Sequence, residues 1–270
     1  MAHRITPRVC AAVCAFAFLF PAALTAADSG SATTSENPEN FRLEITGSAW
    51  LVNTSGTIQS SGTPINLVTD LAAAQQQPTF FGRFVFKPKQ KQRIVIEGFP
   101  FSVTGYNTVN RSITYHGQTF NVSQTLQSSA DLDYLFAGYQ YDVLSGPMGH
   151  LGFSVGGAWA SANGTLHGVE TGITSSRSET VGLPLAGAEF RIFPIPHHRL
   201  IDIEGGVRGM AVGSYGHYLE ASANGGICVG PVTILAGYRT VNADLHNASS
   251  SPSGIDVHLT GPAFSAMWRW

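Results

Sequence analysis

The sequence predicts an all-β protein: an antiparallel, up-and-down β-barrel of ten strands that crosses a membrane. Three observations predict this fold. The chain begins with a segment typical of an export signal, most of the remainder alternates between apolar and polar residues with a period of two, and the last strand has an aromatic face. Eight or twelve strands remain possible, because residues 57–71 could pair as an extension.

The first 27 residues have the composition of a cleaved secretory signal. Arg4 and Arg8 supply the basic start, residues 9–24 are apolar, and Ala26 and Ala27 offer a small-residue cleavage site. A permanent membrane helix is the weaker alternative, because Pro21 interrupts a short apolar run. Residues 28–40 are polar and predict a flexible periplasmic tail, which leaves 41–270 for the barrel.

Composition excludes several classes of function. Only 12% of the residues are charged, and the net charge of −2 falls to −4 when Arg4 and Arg8 leave with the signal, so we expect no nucleic acid as a partner. Cys228 is the single thiol outside the signal, so no intrachain disulfide can form. The histidines show no metal-ligand spacing such as His-x₃-His, so we expect no metal and no cofactor.

The strand pattern and the connections also favour a barrel. Connections that are short and rich in Pro or Gly mostly alternate with longer polar ones, as in outer-membrane barrels, where the short side is periplasmic. No later segment has the length of apolar sequence that a membrane-spanning helix needs. The ten predicted strands are 41–52, 78–88, 91–105, 127–144, 149–164, 179–193, 199–213, 217–229, 231–243 and 255–270.

The last strand carries one large apolar face. Phe264, Trp268 and Trp270 share one parity, and side chains of one parity point to the same side of a strand. A soluble protein would cover such a face with its own core. We therefore expect this face to contact lipid.

Charged residues lie on the opposite parity from the large apolar residues within the predicted strands. Because a charge at the bilayer midplane costs about 2–4 kcal/mol, these residues must face the lumen if the strands span the membrane. Hairpin geometry predicts that Arg191 lies near Asp202 or Glu204, and that Glu220 lies opposite Arg239. The predicted lumen network is Arg42, Glu44, Arg83, Arg93, Glu97, Glu189, Arg191, Asp202, Glu204, Arg208, Glu220 and Arg239.

The size of the barrel decides between two interpretations of that network. Barrels of about eight strands are just filled by side chains, whereas aqueous porins have 16 or more. At ten strands we expect a mostly filled, ion-paired lumen. A narrow channel for small solutes is the alternative.

Taken together, the signal, the alternating strands, the asymmetric connections and the terminal aromatic strand resemble those of small bacterial outer-membrane β-barrels. The resemblance covers residues 41–270 and rests on pattern. It implies a place in the bacterial outer membrane, contact with outer-membrane lipid including lipopolysaccharide, and delivery to the barrel-assembly machinery through the C-terminal strand that ends at Trp270. The oligomeric state is left open.

Two short motifs suggest a catalytic alternative. Asp131-Leu-Asp133 and Asp256-Val-His258 are similar to the Asp-x-Asp and Asp-x-His pairs of omptins, which are ten-stranded outer-membrane proteases. A carboxylate beside a histidine can hold the imidazole as a general base for water. Asp256 and His258 share parity with Trp268, so this hypothesis requires a bulge at Gly261-Pro262 that reverses the two faces.

We expect a structural or surface-recognition role through the external loops, with an omptin-like hydrolase at the mouth or a narrow channel as alternatives. A different fold also fits the alternation. In a secreted soluble β-sandwich or a lipocalin-like barrel, the apolar face would point inward and the charges outward. The direction of Arg208 and Phe84 distinguishes the two geometries.

Overall fold

A computed structural model describes residues 37–60, 64–73, 75–195, 200–211, 216–247 and 253–270. The predicted signal and most of the predicted tail lie outside these residues. Within them, no helix has both the length and the hydropathy to cross a membrane. The strands are β1 (Leu43–Ser60), β2 (Ile65–Asn66), β3 (Gln76–Lys89), β4 (Gln92–Thr108), β5 (Ile113–Tyr115), β6 (Gln118–Phe120), β7 (Thr125–Gly146), β8 (Gly149–Gly168), β9 (Thr174–Ile192), β10 (Ile201–Ala211), β11 (Gly216–Val229), β12 (Val232–Asn247) and β13 (Ser253–Arg269).

Ten of these strands form a closed antiparallel barrel. Each pairs with the next long strand in sequence, and β13 pairs with β1 to close the sheet. The prediction of an all-β, ten-stranded, up-and-down barrel is confirmed. β2 adds two residues to the edge of β1, with Thr57 opposite Asn66, and β5 and β6 form a separate hairpin. The additional pairing considered for residues 57–71 therefore occurs between β1 and β2, but it does not add a full-length strand to the barrel wall.

The barrel has two distinct ends. At the turn end, β3–β4, β7–β8, β9–β10 and β11–β12 are joined, and Leu43 of β1 accepts a backbone hydrogen bond from Trp270. At the loop end, the longer connections leave β1, β4, β8 and β12. The strands run further toward this end than predicted. β1 reaches Ser60 instead of 52, for example, because its polar outer segment completes a ladder with β13.

An apolar belt surrounds the outside of the barrel. Phe153 and Val155 on β8 are 56% and 62% exposed, and Ile234 on β12 is 56% exposed. On β7 the apolar outward positions run from 135 to 143, which matches the 9–11 tilted residues that a membrane-spanning strand needs. Trp159 lies at the loop-end border of the belt and Trp270, 77% exposed, at the turn-end border.

Inside the belt the charges face the lumen. Ile203 and Phe86 are 42% and 40% exposed on the outside, whereas Glu204 is 8% exposed and lies within the barrel. The soluble sandwich or lipocalin-like alternative, in which these directions are reversed, is therefore wrong. The last strand follows the same rule, because Phe264 and Trp270 face outward while Met267 is buried.

Above the belt, toward the loop end, the polarity of the two faces reverses. The inward positions there are mostly apolar, and the outward positions are mostly Ser, Thr, Asn, Gln and Asp. The inward wall residues of this loop-end core are Trp50, Val52, Phe99, Phe101, Val103, Leu126, Tyr134, Leu166, Leu183, Leu185, Tyr218, Val241 and Leu259.

Two loop segments complete this core. The segment around β2 contributes Ile65 and Leu67, and the β5–β6 hairpin contributes Ile113 and Phe120, all of them buried. Each fully buried side chain of this size contributes roughly 1.5–3 kcal/mol. The hydroxyl of Ser175 on β9 donates to the backbone carbonyl oxygen of Tyr115 at 3.1 Å, which ties the hairpin to the wall.

The belt can be tested with two adjacent residues on opposite faces of β8. In a variant whose Cys228 is replaced by Ser, we expect a fluorophore on Phe153→Cys to be quenched by brominated lipid, because Phe153 faces outward. The same fluorophore on Ser154→Cys should escape quenching, because Ser154 is 7% exposed and faces the lumen. Stronger quenching at 154 than at 153 would contradict the assigned faces.

Candidate functional site: the filled lumen

The turn-end half of the lumen holds a continuous network of ion pairs. Of the twelve residues that the sequence analysis assigned to it, the structure places eleven inside the barrel. Arg42 is different: it lies in a bend before β1 and is exposed, so the alternation of β1 does not extend to it. Whether the network has a functional role beyond filling the barrel stays a prediction.

In two of the shortest ion pairs, the partners come from walls that lie far apart around the barrel. Arg208 on β10 contacts Glu97 on β4 at 2.8 Å. Arg83 on β3 donates to Glu189 on β9 at 2.6 Å. In each case three strands separate the partners on one side and five on the other. These side chains therefore cross the lumen.

Arg191 on β9 is the most connected of these side chains. Its Nη1 lies 2.9 Å from Glu44 of β1, on the opposite wall, and its Nη2 lies 2.7 Å from Glu204 of β10. The predicted neighbour relation with Glu204 is confirmed, because the two residues are directly opposite in the ladder. A guanidinium suits this position because it donates in several fixed directions at once.

The second predicted pair forms with a shifted register. Ser222, not Glu220, is directly opposite Arg239, yet the Arg239 and Glu220 side chains meet diagonally at 3.1 Å. Glu220 also contacts Arg208 at 3.0 Å. Two arginines thus share one carboxylate, and the cluster continues to Glu97, 3.7 Å from Arg239.

Several members of the network were not identified from the sequence. Asp142 and Arg269 carry a usable signal, because each has the parity opposite to exposed aromatic neighbours such as Tyr141 and Trp270. Lys87 and His150 border predicted turns, where the alternation gives no guidance. Glu39 precedes the first strand, so no strand pattern could have identified it.

Glu39 is fully buried, although it lies in the segment that the sequence assigned to a flexible tail. Arg93 of β4 donates to its carboxylate at 2.6 Å, and the Nδ1 atom of His150 of β8 lies 3.1 Å from it. Lys87 donates to its backbone carbonyl oxygen at 2.8 Å. Arg191 lies 3.7 Å away. A carboxylate from the segment that precedes the first strand therefore lies in a cradle of four basic side chains.

An aromatic row lies across the lumen at the base of the loop-end core. Trp50 of β1 packs edge-on against Phe99 of β4 with 5.4 Å between ring centroids, and Phe99 stacks on Tyr134 of β7 at 5.1 Å. Tyr134 then stacks on Tyr218 of β11 at 6.0 Å. β7 and β11 are separated by three strands on one side and five on the other, so this row spans the interior.

A polar cavity of about 70 Å³ remains between the ion pairs and this row. Ser48, Ser222 and Asn224 line part of it. At roughly 10–15 Å³ for each water it has room for several waters. The packing described above thus leaves only a small polar space in this part of the lumen.

The loop around β2 is held by one ion pair at the mouth. Arg111 donates to the carboxylate of Asp70 and, at 2.6 Å, to the backbone carbonyl oxygen of Pro64. The Arg111 guanidinium lowers the pKa of the Asp70 carboxyl. The interaction joins the segment between β1 and β3 to the segment between β4 and β5.

The structure does not bring the two motifs of the catalytic hypothesis together. Asp131 and Asp133 are exposed on the outward face of β7. Asp256 and His258 lie 3.1 Å from each other on the outward face of β13. Between β7 and β13 stand β4, β3 and β1 on one side and five strands on the other.

The expected bulge at Gly261-Pro262 is also wrong. β13 keeps one unbroken register with β12 from Ser253 to Trp268. Leu259 is apolar and faces inward because this part of the strand lines the loop-end core, so no reversal of the faces is needed.

The cradle around Glu39 predicts a large loss of stability on its removal. Glu39→Ala leaves Arg93, Arg191 and Lys87 buried beside one another, and breaking a buried pair typically costs on the order of 3–5 kcal/mol. We expect a decrease of this size in the free energy of unfolding, measured by urea titration in detergent. Glu179→Ala is the matched control. Glu179 pairs with Arg177 at 2.6 Å at the exposed mouth, where such a pair contributes about 0–1 kcal/mol. Equal losses in the two variants would show that Glu39 is not a buried structural anion.

Comparisons with known proteins give the fold. No family model matches the chain, and no curated protein matches it. Among solved structures, the chain is similar to the outer membrane protease OmpT from Escherichia coli, with a TM-score of 0.52 and 10% identity over 88% of this chain and 100% of that chain. A weaker likeness is to the translocator domain of the autotransporter NalP from Neisseria meningitidis, with a TM-score of 0.43 and 11% identity over 90% of each chain. Another is to Ail of Yersinia pestis bound to a heparin analogue, with a TM-score of 0.36 and 9% identity over 83% of this chain and 99% of that chain. The chain therefore has the fold of the bacterial outer-membrane β-barrels.

Proposed function

We propose that the protein is a closed barrel of the bacterial outer membrane, with a structural or surface-recognition role that its external parts perform. The observation that carries this proposal is the set of side chains that cross the lumen. Arg208–Glu97 and Arg83–Glu189 join distant walls, and the row from Trp50 to Tyr218 lies beyond them. A solute would have to break both layers to pass.

The parts available to partners lie at the loop end. The β5–β6 hairpin packs with one face into the core and leaves Gln118 and Thr119 exposed. Val122 and Tyr106 are 53% and 66% exposed near it. Because loops on a rigid scaffold commonly carry recognition, these segments are the candidates for contact with ligands or other surfaces.

The closed lumen is tested by single-channel recording. We expect no unit conductance from the purified protein in a planar bilayer, because the ion pairs and the aromatic row block the path. A 16-stranded porin inserted into the same bilayer is the positive control. Reproducible steps of current from the protein would favour the narrow-channel alternative.

A second experiment separates the two proposed roles. A strain lacking the protein is complemented either with the full chain or with a barrel whose β5–β6 hairpin is replaced by a short Gly-Ser link. If the role is recognition, the shortened barrel reaches the outer membrane but fails to restore attachment to surfaces. If the role is structural, it restores resistance of the envelope to large antibiotics as well as the full chain does. Failure of the full chain to restore either property would contradict the proposal.

A further inference from the structure

A tall polar wall stands above the apolar belt on one side of the barrel. β8 and β9 stay paired as far as His167 and Thr174, whereas the pairing of β9 with β10 ends at Ala186 and Gly209. β4 and β7 continue to the same height as β8. We call the outward face of β4, β7, β8 and β9 above the belt the polar wall.

The border between belt and polar wall is sharp. Leu135 of β7 and Trp159 of β8 are directly opposite each other and about half exposed, and they form the last apolar row. Two residues further along each strand the outward pair is Asp133 and Ser161. In β9 the residue opposite Ser161 is Thr180, whose hydroxyl donates to Ser161 at 3.4 Å.

The next outward row is entirely polar. Ser102, Asp131, Asn163 and Ser178 are aligned across the four strands and are exposed. The hydroxyl of Ser102 donates to the Asp131 carboxylate at 2.6 Å. The other carboxylate oxygen and the Asn163 amide remain directed to the outside as hydrogen-bonding groups.

A third row repeats the chemistry with hydroxyls alone. Thr104, Ser129, Thr165 and Ser176 are aligned in the same way. Strand spacing places neighbouring hydroxyls about 4.8 Å apart across the sheet and about 6.7 Å apart along it. These two spacings between hydroxyls are comparable to the width of one pyranose ring.

An aromatic residue borders these rows. Tyr106 lies two residues beyond Thr104 on the same face of β4 and is 66% exposed. An exposed tyrosine offers an apolar ring together with a hydroxyl. This combination fits the apolar face of a sugar and its ring substituents.

We infer that the polar wall binds the saccharide headgroups of glycolipid in the surrounding outer leaflet. The wall is continuous with the lipid-facing belt and points sideways, so the layer that meets it is the one directly above the acyl chains. Its three rows present hydroxyl, amide and carboxylate groups without Lys or Arg, which suits neutral sugar hydroxyls better than phosphates. The inference rests on the proposed place in the outer membrane.

The test uses the full barrel in vesicles of phosphatidylethanolamine and phosphatidylglycerol. The vesicles contain either lipopolysaccharide with its core sugars or lipid A, which has the acyl chains and phosphates but lacks the core. Native mass spectrometry after extraction counts the glycolipids retained per barrel. We expect the wild type to retain about three- to tenfold more of the core-bearing form, the range that a net gain of about one hydrogen bond gives.

The variants isolate the hydroxyls of the third row. Thr104→Val, Ser129→Ala, Thr165→Val and Ser176→Ala together remove the hydroxyls and should abolish the preference. The control variant, with Thr104→Ser and Thr165→Ser, keeps the hydroxyls and should keep the preference. Equal retention of both lipids by the wild type, or an unchanged preference in the variant without hydroxyls, would overturn the inference.

Soluble core oligosaccharide, released from its lipid, distinguishes a membrane glycolipid from a free saccharide. Binding of this oligosaccharide as tight as that of the intact glycolipid would overturn the assignment to the membrane.

The number of glycolipids retained per barrel does not depend on conductance. A conducting barrel that prefers core sugars would refute only the closed lumen, and a silent barrel without this preference would refute only the inference drawn here.

Discussion

Most long strands of this barrel exchange the character of their two faces at one level, with polar residues inward below it and apolar residues inward above it, and most other features follow from that constraint. On β7, Tyr139 faces outward and Gln140 inward within the belt, whereas Gln127 faces outward and Leu126 inward near the loop end. The half of the barrel toward the turn end (the lower half) is thus organised for hydrocarbon outside, and the half toward the loop end (the upper half) for water outside. Since side chains alternate with a strict period of two, the exchange needs no change of register and is encoded only by which residues occupy each position.

The lower half has to accommodate the charges that the exchange directs inward. In a barrel of ten strands opposite walls are close enough for long side chains to meet, so the arginines reach carboxylates across the lumen as well as along the sheet. Removing one partner leaves its buried neighbours with less compensating charge, which couples walls that share no backbone hydrogen bond. The upper half closes by ordinary apolar packing, and the inserted loop segments supply the volume that the wall side chains do not fill.

The sequence predicted much of the lower half and little of the upper half, for a physical reason. Within the belt the two faces differ strongly, so alternation alone placed Ile203 outside and Glu204 inside and assigned Trp270 to the lipid-facing side. Above the belt, Ser and Thr on the outward face resemble loop composition, so the predicted first strand ends at 52, and the alternation does not reveal that Leu259 faces an apolar core. Arg42 and Glu39 could not be placed correctly, because they precede the first strand and the alternation does not extend to them. Their positions depend on where the chain bends and on basic residues far away in sequence.

The position of Glu39 has a consequence for the order of assembly. This residue emerges early in synthesis, but its contacts belong to β3, β4, β8 and β9, the last of them more than a hundred residues later in the chain. Its carboxylate can settle only after those strands have assembled around it. The segment around Glu39 is therefore among the last parts of the barrel to become fixed, although it precedes every strand in the sequence.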